Sequence, residues 1–282
     1  MNVLPLTNPV RLAEEITTLD HICQGRFELG VGRSSGQEAY VGFNVPYTES
    51  QSRFSEALDI IQLALTQDRF SYHGRFHTYK DICVVPRPYQ RPHPPIRIAI
   101  TSPESFARAG SMGLPIFIGL IASTKVMEER LSSYWDAWKQ AGHPGQGDVY
   151  LRLAVHVGNT SESAVEEPKQ SALNFYNNIL ANQNNPIPGL SVEENRSREK
   201  RRSLMANVTY EQILRDHVIC GTPDTVTERL LDLKNILRIR GAIIDVNLGG
   251  MIAQHHLNNS LRLLSHEVAH NLLNARTESP SS

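Results

Sequence analysis

Short apolar segments alternate with amphipathic helical segments along most of this sequence, and this alternation constrains the fold more than any other feature. Six segments are predicted as core strands: residues 3–6, 27–31, 96–100, 114–118, 151–157 and 243–247. Between them lie helical repeats such as Leu12, Ile16 and Leu19, which follow Asn8 as a predicted N-cap and Pro9 as a first helical residue. The pattern predicts a parallel sheet covered by helices, an α/β fold. Six strands satisfy an open doubly wound sheet but not a closed (β/α)8 barrel.

Composition excludes several classes of protein. The 282 residues carry 28 Lys+Arg against 29 Asp+Glu, a formal charge of −1, which provides no electrostatic basis for a nucleic-acid or membrane partner. The three cysteines, Cys23, Cys83 and Cys220, are far apart and argue against a disulfide scaffold. No segment approaches the roughly 20 apolar residues of a membrane span. We therefore expect a cytoplasmic protein.

A candidate anion site follows the predicted strand at 96–100. There Ser102 is predicted as an N-cap and Pro103 as the first helical residue, so free backbone N–H groups would lie between the hydroxyls of Thr101 and Ser105. A helix N-terminus of this kind is typical of a phosphate site. An ordinary Ser–Pro cap explains the same residues equally well.

Two arginines could complete such a site. Arg33 lies in a small-residue loop after the strand at 27–31, and Arg53 lies in the next long helix, for which Thr48 and Gln51 form a plausible capping box. Both guanidinium groups could donate bidentate hydrogen bonds to phosphate. The loop does not match the dinucleotide-binding pattern GxGxxG in order, so a purely structural turn stays an alternative.

The histidines do not predict a catalytic base or a metal site. His255 and His256 are adjacent and cannot both chelate one metal from a helix face. His21, in the last turn of the first helix, is predicted to interact with the helix dipole. His156 lies in a strand and could face either side of it. No HExxH, P-loop or Ser–His–Asp order is present, so the catalytic residues stay unassigned and no metal is expected.

One long, ordered pattern is similar to a known family. It reads LPLTNPVRLAEE at residues 4–15, LDH at 19–21 and GRFELGVGR at 25–33, and it resembles the signature stretch of the bacterial luciferase-like flavin-dependent monooxygenases. The likeness continues at residues 53–58, 93–96, 221–223 and 260–264. It covers nearly the whole chain and is weakest at 159–216.

The resemblance implies a TIM barrel, here one domain over residues 1–282 with a helical insertion at about 159–216. It also implies an enzyme that uses reduced FMN and O2 to oxygenate a small organic substrate, with reduced FMN supplied by a flavin reductase. A deazaflavin-dependent oxidoreductase of the same fold is the alternative, and a homodimer is a further expectation. Arg33 and Arg53 match family positions that contact the flavin phosphate. Thr101, Ser102 and Ser105 match the family positions that cradle this phosphate. Ser34 stands where the family often has glycine.

The front of the barrel departs from the family. The strand at 3–6 corresponds to the third of eight, so we expect the first two βα units, with the acidic and histidine residues near the flavin ring, to be missing. Such a barrel would leave unpaired strand edges. Two further interpretations stay open: a non-catalytic flavin-binding remnant, and a scaffold protein whose missing strands come from another subunit.

Overall fold

The computed structural model describes residues 1–34, 37–119, 123–183 and 208–277, with a few isolated positions between 192 and 203. The chain divides into two compact units. The described residues of the first unit are 1–34, 37–100 and 113–117, and those of the second are 101–112, 118–119, 123–183 and 208–277, with the isolated positions.

The first unit contains three parallel strands and a separate hairpin. β1 (Asn2–Val3) pairs with β2 (Leu29–Gly32), and β2 pairs with β5 (Ile96–Ile100), with Leu29 opposite Ile96. The hairpin joins β3 (Phe70–His73) and β4 (Thr78–Ile82) in antiparallel order. The described helices of the first unit are α1 (Pro9–Ile22), α2 (Gln37–Gly42) and α3 (Ser50–Thr66).

Local chemistry explains where α1 begins and ends. The Asn8 side chain accepts hydrogen bonds from the backbone N–H groups of Val10 and Arg11 at 3.0 and 3.1 Å, and Pro9 occupies the first helical position. After the helix, Gly25 adopts φ +77° and its N–H donates to the carbonyl oxygen of Asp20 at 3.1 Å. The predicted N-cap is therefore confirmed, as is the predicted strand at 96–100.

Two local predictions are wrong, and one strand was not predicted. The first predicted strand is shorter, because Leu4–Leu6 form a 3₁₀ turn with Pro5 inside it. The capping box of Thr48 and Gln51 does not form, because the 3₁₀ turn Tyr47–Glu49 leads straight into α3 and leaves Glu49 at the cap position without a side-chain cap. A further strand, β8 (Val218–Gly221), was missed.

The second unit is built around the long strand β7 (Val149–Val157). It pairs in parallel with β8 through Ala154–Val157 and with β9 (Gly241–Asp245) through Tyr150–Ala154. β6 (Ile116–Gly119) starts in the first unit and ends in the second. The helices are α4 (Pro103–Ser111), α5 (Thr124–Gln140), α6 (Ser161–Glu166), α7 (Lys169–Gln183), α8 (Tyr210–Asp216), α9 (Pro223–Leu237), α10 (Gln254–Leu263) and α11 (Ala269–Thr277), with a π-helical turn Leu264–Val268 between the last two.

The predicted insertion is helical where it is described, at α6, α7 and α8, and it contributes to a core. Ala172 and Tyr176 of α7 pack with Tyr210 and Ile213 of α8 against the β7–β8 face at Ala154 and Val218. Burial raises the pKa of the Tyr176 hydroxyl. The described part of the insertion therefore contributes to the core as well as to the surface. Most of residues 196–202, a segment rich in charged side chains, lies outside the described residues.

The α/β prediction is confirmed, because the paired strands around β2 and around β7 are all parallel. Within the described ranges, no helix has both the length and the apolar character needed to cross a membrane. The assignment of residues 1–282 to one domain and the absence of the first two βα units stay predictions.

Candidate functional site

The N-terminus of α4 carries the hydroxyl groups that the sequence singles out. Ser102 has the extended backbone of an N-cap (φ −80°, ψ 142°) and Pro103 is the first helical residue, so the predicted N-cap position is confirmed. The Oγ atoms of Ser102 and Ser105 lie 2.6 Å apart, and Ser102 makes no side-chain cap to a backbone N–H. Thr101 is exposed. The first turn is therefore not capped by a side chain, and hydroxyls lie beside it.

Arg33 follows β2 in a loop that Tyr40 holds in place. The buried Tyr40 hydroxyl donates to the Arg33 carbonyl oxygen, and burial raises the pKa of Tyr40 to about 12. The half-buried Arg33 side chain donates from Nη1 to the Ser50 Oγ at 3.3 Å. Within the described part of the chain its side-chain partner is a hydroxyl rather than a carboxylate, so its positive charge is not neutralised there.

The residues on both sides of Arg33 have distinct local constraints. A Cβ atom on Gly32 would lie 2.7 Å from the Met1 Sδ and 3.3 Å from the Ala99 Cβ, so a larger residue requires the Met1 side chain to move. Ser34 adopts φ +62°, the left-handed conformation that costs a residue other than glycine about 1–2 kcal/mol. Ser34 thus keeps the backbone conformation that glycine, the residue expected there from the resemblance, adopts without strain.

Arg53 lies on the first turns of α3, in a cluster with both signs of charge. Its Nε and Nη2 atoms each lie 2.9 Å from the Glu49 Oε2. The other oxygen of Glu49 accepts from the Arg75 Nη2 at 3.2 Å. Both guanidinium groups lie over the Phe76 ring, at 4.2 Å for Arg53 and 5.0 Å for Arg75. We call Glu49, Arg53, Arg75 and Phe76 the arginine cluster.

Thus both arginines lie near the start of α3 in the first unit. Arg33 donates to Ser50, the first residue of α3, and Arg53 is itself part of that helix. The three predicted hydroxyl residues lie in the second unit. Neither group is shown to bind a ligand, so their assignment to a phosphate site stays a prediction.

A cluster of two histidines and a carboxylate was missed in the sequence. The His156 side chain, only 2% exposed, places Nε2 2.7 Å from the Glu167 Oε2, and the other Glu167 oxygen lies 3.0 Å from the His256 Nδ1. The His156 Nδ1 is buried and has no hydrogen-bond partner among the described residues. The sequence left the facing of His156 open. The other two members of the cluster lie just after α6 (Glu167) and on α10 (His256), too far along the chain for a local pattern to reveal them.

The other two histidines that the sequence analysis named, His21 and His255, have structural contacts. His21 lies in the last turn of α1, as predicted, and its Nε2 lies 2.8 Å from the Arg87 carbonyl oxygen. His255 packs against the His256 ring, with ring centroids 3.9 Å apart. Over the described ranges, no group of three or more His, Cys, Asp or Glu side chains is arranged to hold a metal ion.

Comparison with known proteins places these observations in a family context. A family model described as luciferase-like monooxygenase matches residues 1–238. The alkanal monooxygenase beta chain of Photorhabdus luminescens is 26% identical over 237 residues, which are 84% of this chain and 68% of that protein. The chain spans only about half, or less, of two other curated relatives that it matches, 52% of one and 33% of the other.

Two solved structures show the shared fold. One is the oxygenating constituent of 3,6-diketocamphane monooxygenase from Pseudomonas putida, a type II Baeyer–Villiger monooxygenase in complex with FMN, with a TM-score of 0.73 and 18% identity over 96% of this chain and 78% of that one. The other is the coenzyme F420-dependent tetrahydromethanopterin reductase of Methanopyrus kandleri, with a TM-score of 0.68 and 17% identity over 94% of this chain and 80% of that one.

Proposed function

Because the chain belongs to the luciferase-like monooxygenase family, we propose that it is a flavin-dependent oxidoreductase that uses reduced FMN and O2 to oxygenate a small organic substrate. The family match carries this proposal. Within it, a relative is named alkanal monooxygenase and a structure with the same fold contains FMN. A bound reduced flavin would supply the electrons for oxygen activation.

The side chains at the predicted site fit a phosphate group. Arg33 has a hydroxyl rather than a carboxylate as its described side-chain partner, which leaves a positive charge for an anion. Arg53 contributes a second guanidinium, and such forks match phosphate geometry. We propose that both bind the cofactor phosphate. The uncapped first turn of α4 supports the separate proposal that Thr101, Ser102 and Ser105 also contact a phosphate.

These residues would bind and orient the cofactor rather than transfer protons. An arginine keeps its charge at all working pH values, so Arg33 would act as a constant anion receptor. The catalytic base stays unassigned. The further proposals that follow from the family are a flavin reductase as supplier of reduced FMN and a homodimer. Because all three cysteines are free thiols, we propose a reducing compartment, the cytoplasm.

A fluorescence titration with FMN tests the site. We expect Arg33→Ala to weaken FMN binding at least tenfold, about 1.4 kcal/mol. Arg26→Ala is the matched control, because Arg26 is also an arginine beside β2 but lies before the strand, is exposed, and donates from Nε to the Cys23 carbonyl oxygen. Equal FMN affinity in wild type and Arg33→Ala would refute the role of Arg33.

Deazaflavin use is the second candidate, favoured by the F420-dependent reductase with the same fold. The same titration with F420 separates the two cofactors, and the tighter ligand identifies the branch. If wild-type protein binds neither FMN nor F420, the proposed function is wrong. If it binds FMN but forms no oxygenated product from any tested aldehyde, ketone or alkane in the presence of reduced FMN and O2, the non-catalytic remnant is the better description.

A further inference from the structure

The hairpin of β3 and β4 places a second arginine beside the predicted phosphate residue Arg53. The turn between the strands, residues 74–77, carries Arg75 and Phe76. Glu49 accepts hydrogen bonds from both arginines, one on each carboxylate oxygen, and Phe76 lies under both guanidinium groups. Arg53 and Glu49 are only 26% and 23% exposed, whereas Arg75 is 69% exposed.

A buried carboxylate fixes this turn to α3. The Glu56 side chain accepts from the backbone N–H groups of Arg75, Phe76 and His77, with shortest distances of 3.0, 2.9 and 2.6 Å. Gly74 allows this approach, because a Cβ atom there would lie 2.4 Å from the Glu56 carboxylate. Glu56 stands one helical turn after Arg53, so the backbone of the turn and the base of Arg53 are held by the same helix. The three backbone N–H groups stabilise the negative charge of the Glu56 carboxylate.

The arginine cluster has an excess of positive charge. Arg53 and Arg75 each contribute one positive charge and Glu49 one negative charge, which leaves a net charge of +1. Without Arg75, Glu49 would neutralise Arg53 in a half-buried pair, and an anion would have to compete with a carboxylate already in contact. With Arg75 present, Glu49 can orient the Arg53 guanidinium without cancelling the charge of the cluster.

We propose that Glu49 and Arg75 are positioning residues for the cofactor phosphate: Glu49 holds Arg53 in place, and Arg75 offsets the Glu49 charge so that Arg53 stays attractive to a phosphate monoester. This inference rests on the proposed function, which assigns Arg53 to the phosphate. It extends the phosphate site to the turn of the hairpin.

Comparison of FMN with riboflavin, which lacks the phosphate, isolates this role. We expect Arg75→Gln to weaken FMN binding by about threefold to fivefold, the range expected for a largely exposed charge. Riboflavin binding should be unchanged, and Arg75→Lys should restore most of the FMN affinity. Arg69→Gln is the matched control, because Arg69 is an exposed arginine beside the same hairpin that pairs with Asp81. It should alter neither affinity.

A double-mutant cycle tests the dependence on Glu49. If Arg75 acts by offsetting the Glu49 charge, Arg75→Gln should have no further effect on FMN binding in a Glu49→Gln background. A threefold loss that persists in that background would show that Arg75 acts on the phosphate independently of Glu49, and would overturn the proposal.

The remaining results of these titrations distinguish failure of this inference from failure of the proposed function. Unchanged FMN affinity in Arg75→Gln refutes the inference alone, and so does an equal loss for FMN and riboflavin, which indicates a structural role. Wild-type protein that binds FMN and riboflavin equally also refutes the inference, although flavin binding stands. Wild-type protein that binds neither FMN nor F420 refutes the proposed function and this inference with it. If F420 is the ligand, the comparison is made against the deazaflavin chromophore without its phosphate.

Discussion

A single methyl group at Gly110 should separate two helices of the second unit. Gly110 lies in α4, where it is buried against α5. A Cβ atom at this position would lie 2.1 Å from the Tyr134 carbonyl oxygen and 3.1 Å from the Trp138 backbone nitrogen. The obstacle is backbone, which cannot rotate away as a side chain can. Gly110→Ala therefore requires the two helices to move apart.

Two effects of opposite sign decide the stability of Gly110→Ala. Alanine is favoured over glycine inside a helix by about 1 kcal/mol. Overpacking a tight interior costs about 1–3 kcal/mol and more where the backbone must shift. With a contact of 2.1 Å to a carbonyl oxygen, we expect the upper part of that range. The net loss should be about 2 kcal/mol, which corresponds to a fall in Tm of about 4–8 °C in a chain of this size.

Gly42→Ala is the matched control. Gly42 ends α2, its φ is not positive, and a Cβ atom there would meet nothing within 4 Å. Helix propensity then acts alone, and the variant should be as stable as wild type or up to about 1 kcal/mol more stable. Circular dichroism at 222 nm during heating and urea denaturation measures both variants. If Gly110→Ala melts with or above wild type, the close approach of the two helices is wrong.

Two further predictions concern titratable groups. At pH 8 a thiol reagent should label the exposed Cys83 and spare Cys220, because burial raises the pKa of the Cys220 thiol to about 12; equal labelling by mass spectrometry would contradict this burial. Burial lowers the pKa of His77, so the unfolded chain takes up a proton that the folded chain does not as pH falls below about 6.5, and stability should fall in that range. The urea midpoint should drop less between pH 7.5 and 5.5 in His77→Asn than in wild type, and identical drops would exclude His77 as the cause.

Features set by neighbouring residues were predictable from the sequence. The cap at Asn8 follows from a side chain that acts within three residues, and proline fixes the next backbone angle after both Asn8 and Ser102. Where a competing local structure exists, the same reasoning fails. The 3₁₀ turn Tyr47–Glu49 displaced the capping box expected at Thr48. β8 has only four residues, and its pairing with β7 defines it as a strand. Local strand propensity carries no information about such a long-range pairing.

In the candidate site, too, the sequence indicates individual residues but not the side chains around them. The sequence could single out Arg33 and Arg53 because the resemblance compares residues position by position, and their role at a phosphate stays a prediction. Their surroundings were not, since whether an arginine is available to an anion depends on which carboxylates the fold brings to it. The structure brings a hydroxyl to Arg33 and a carboxylate to Arg53. In the proposed phosphate site the two arginines would therefore differ: Arg33 would meet a phosphate directly, whereas Arg53 would first need the charge of Glu49 to be offset. If that difference governs binding, loss of Arg33 should weaken FMN binding more than loss of Arg75, because the first removes a contact and the second only an offset.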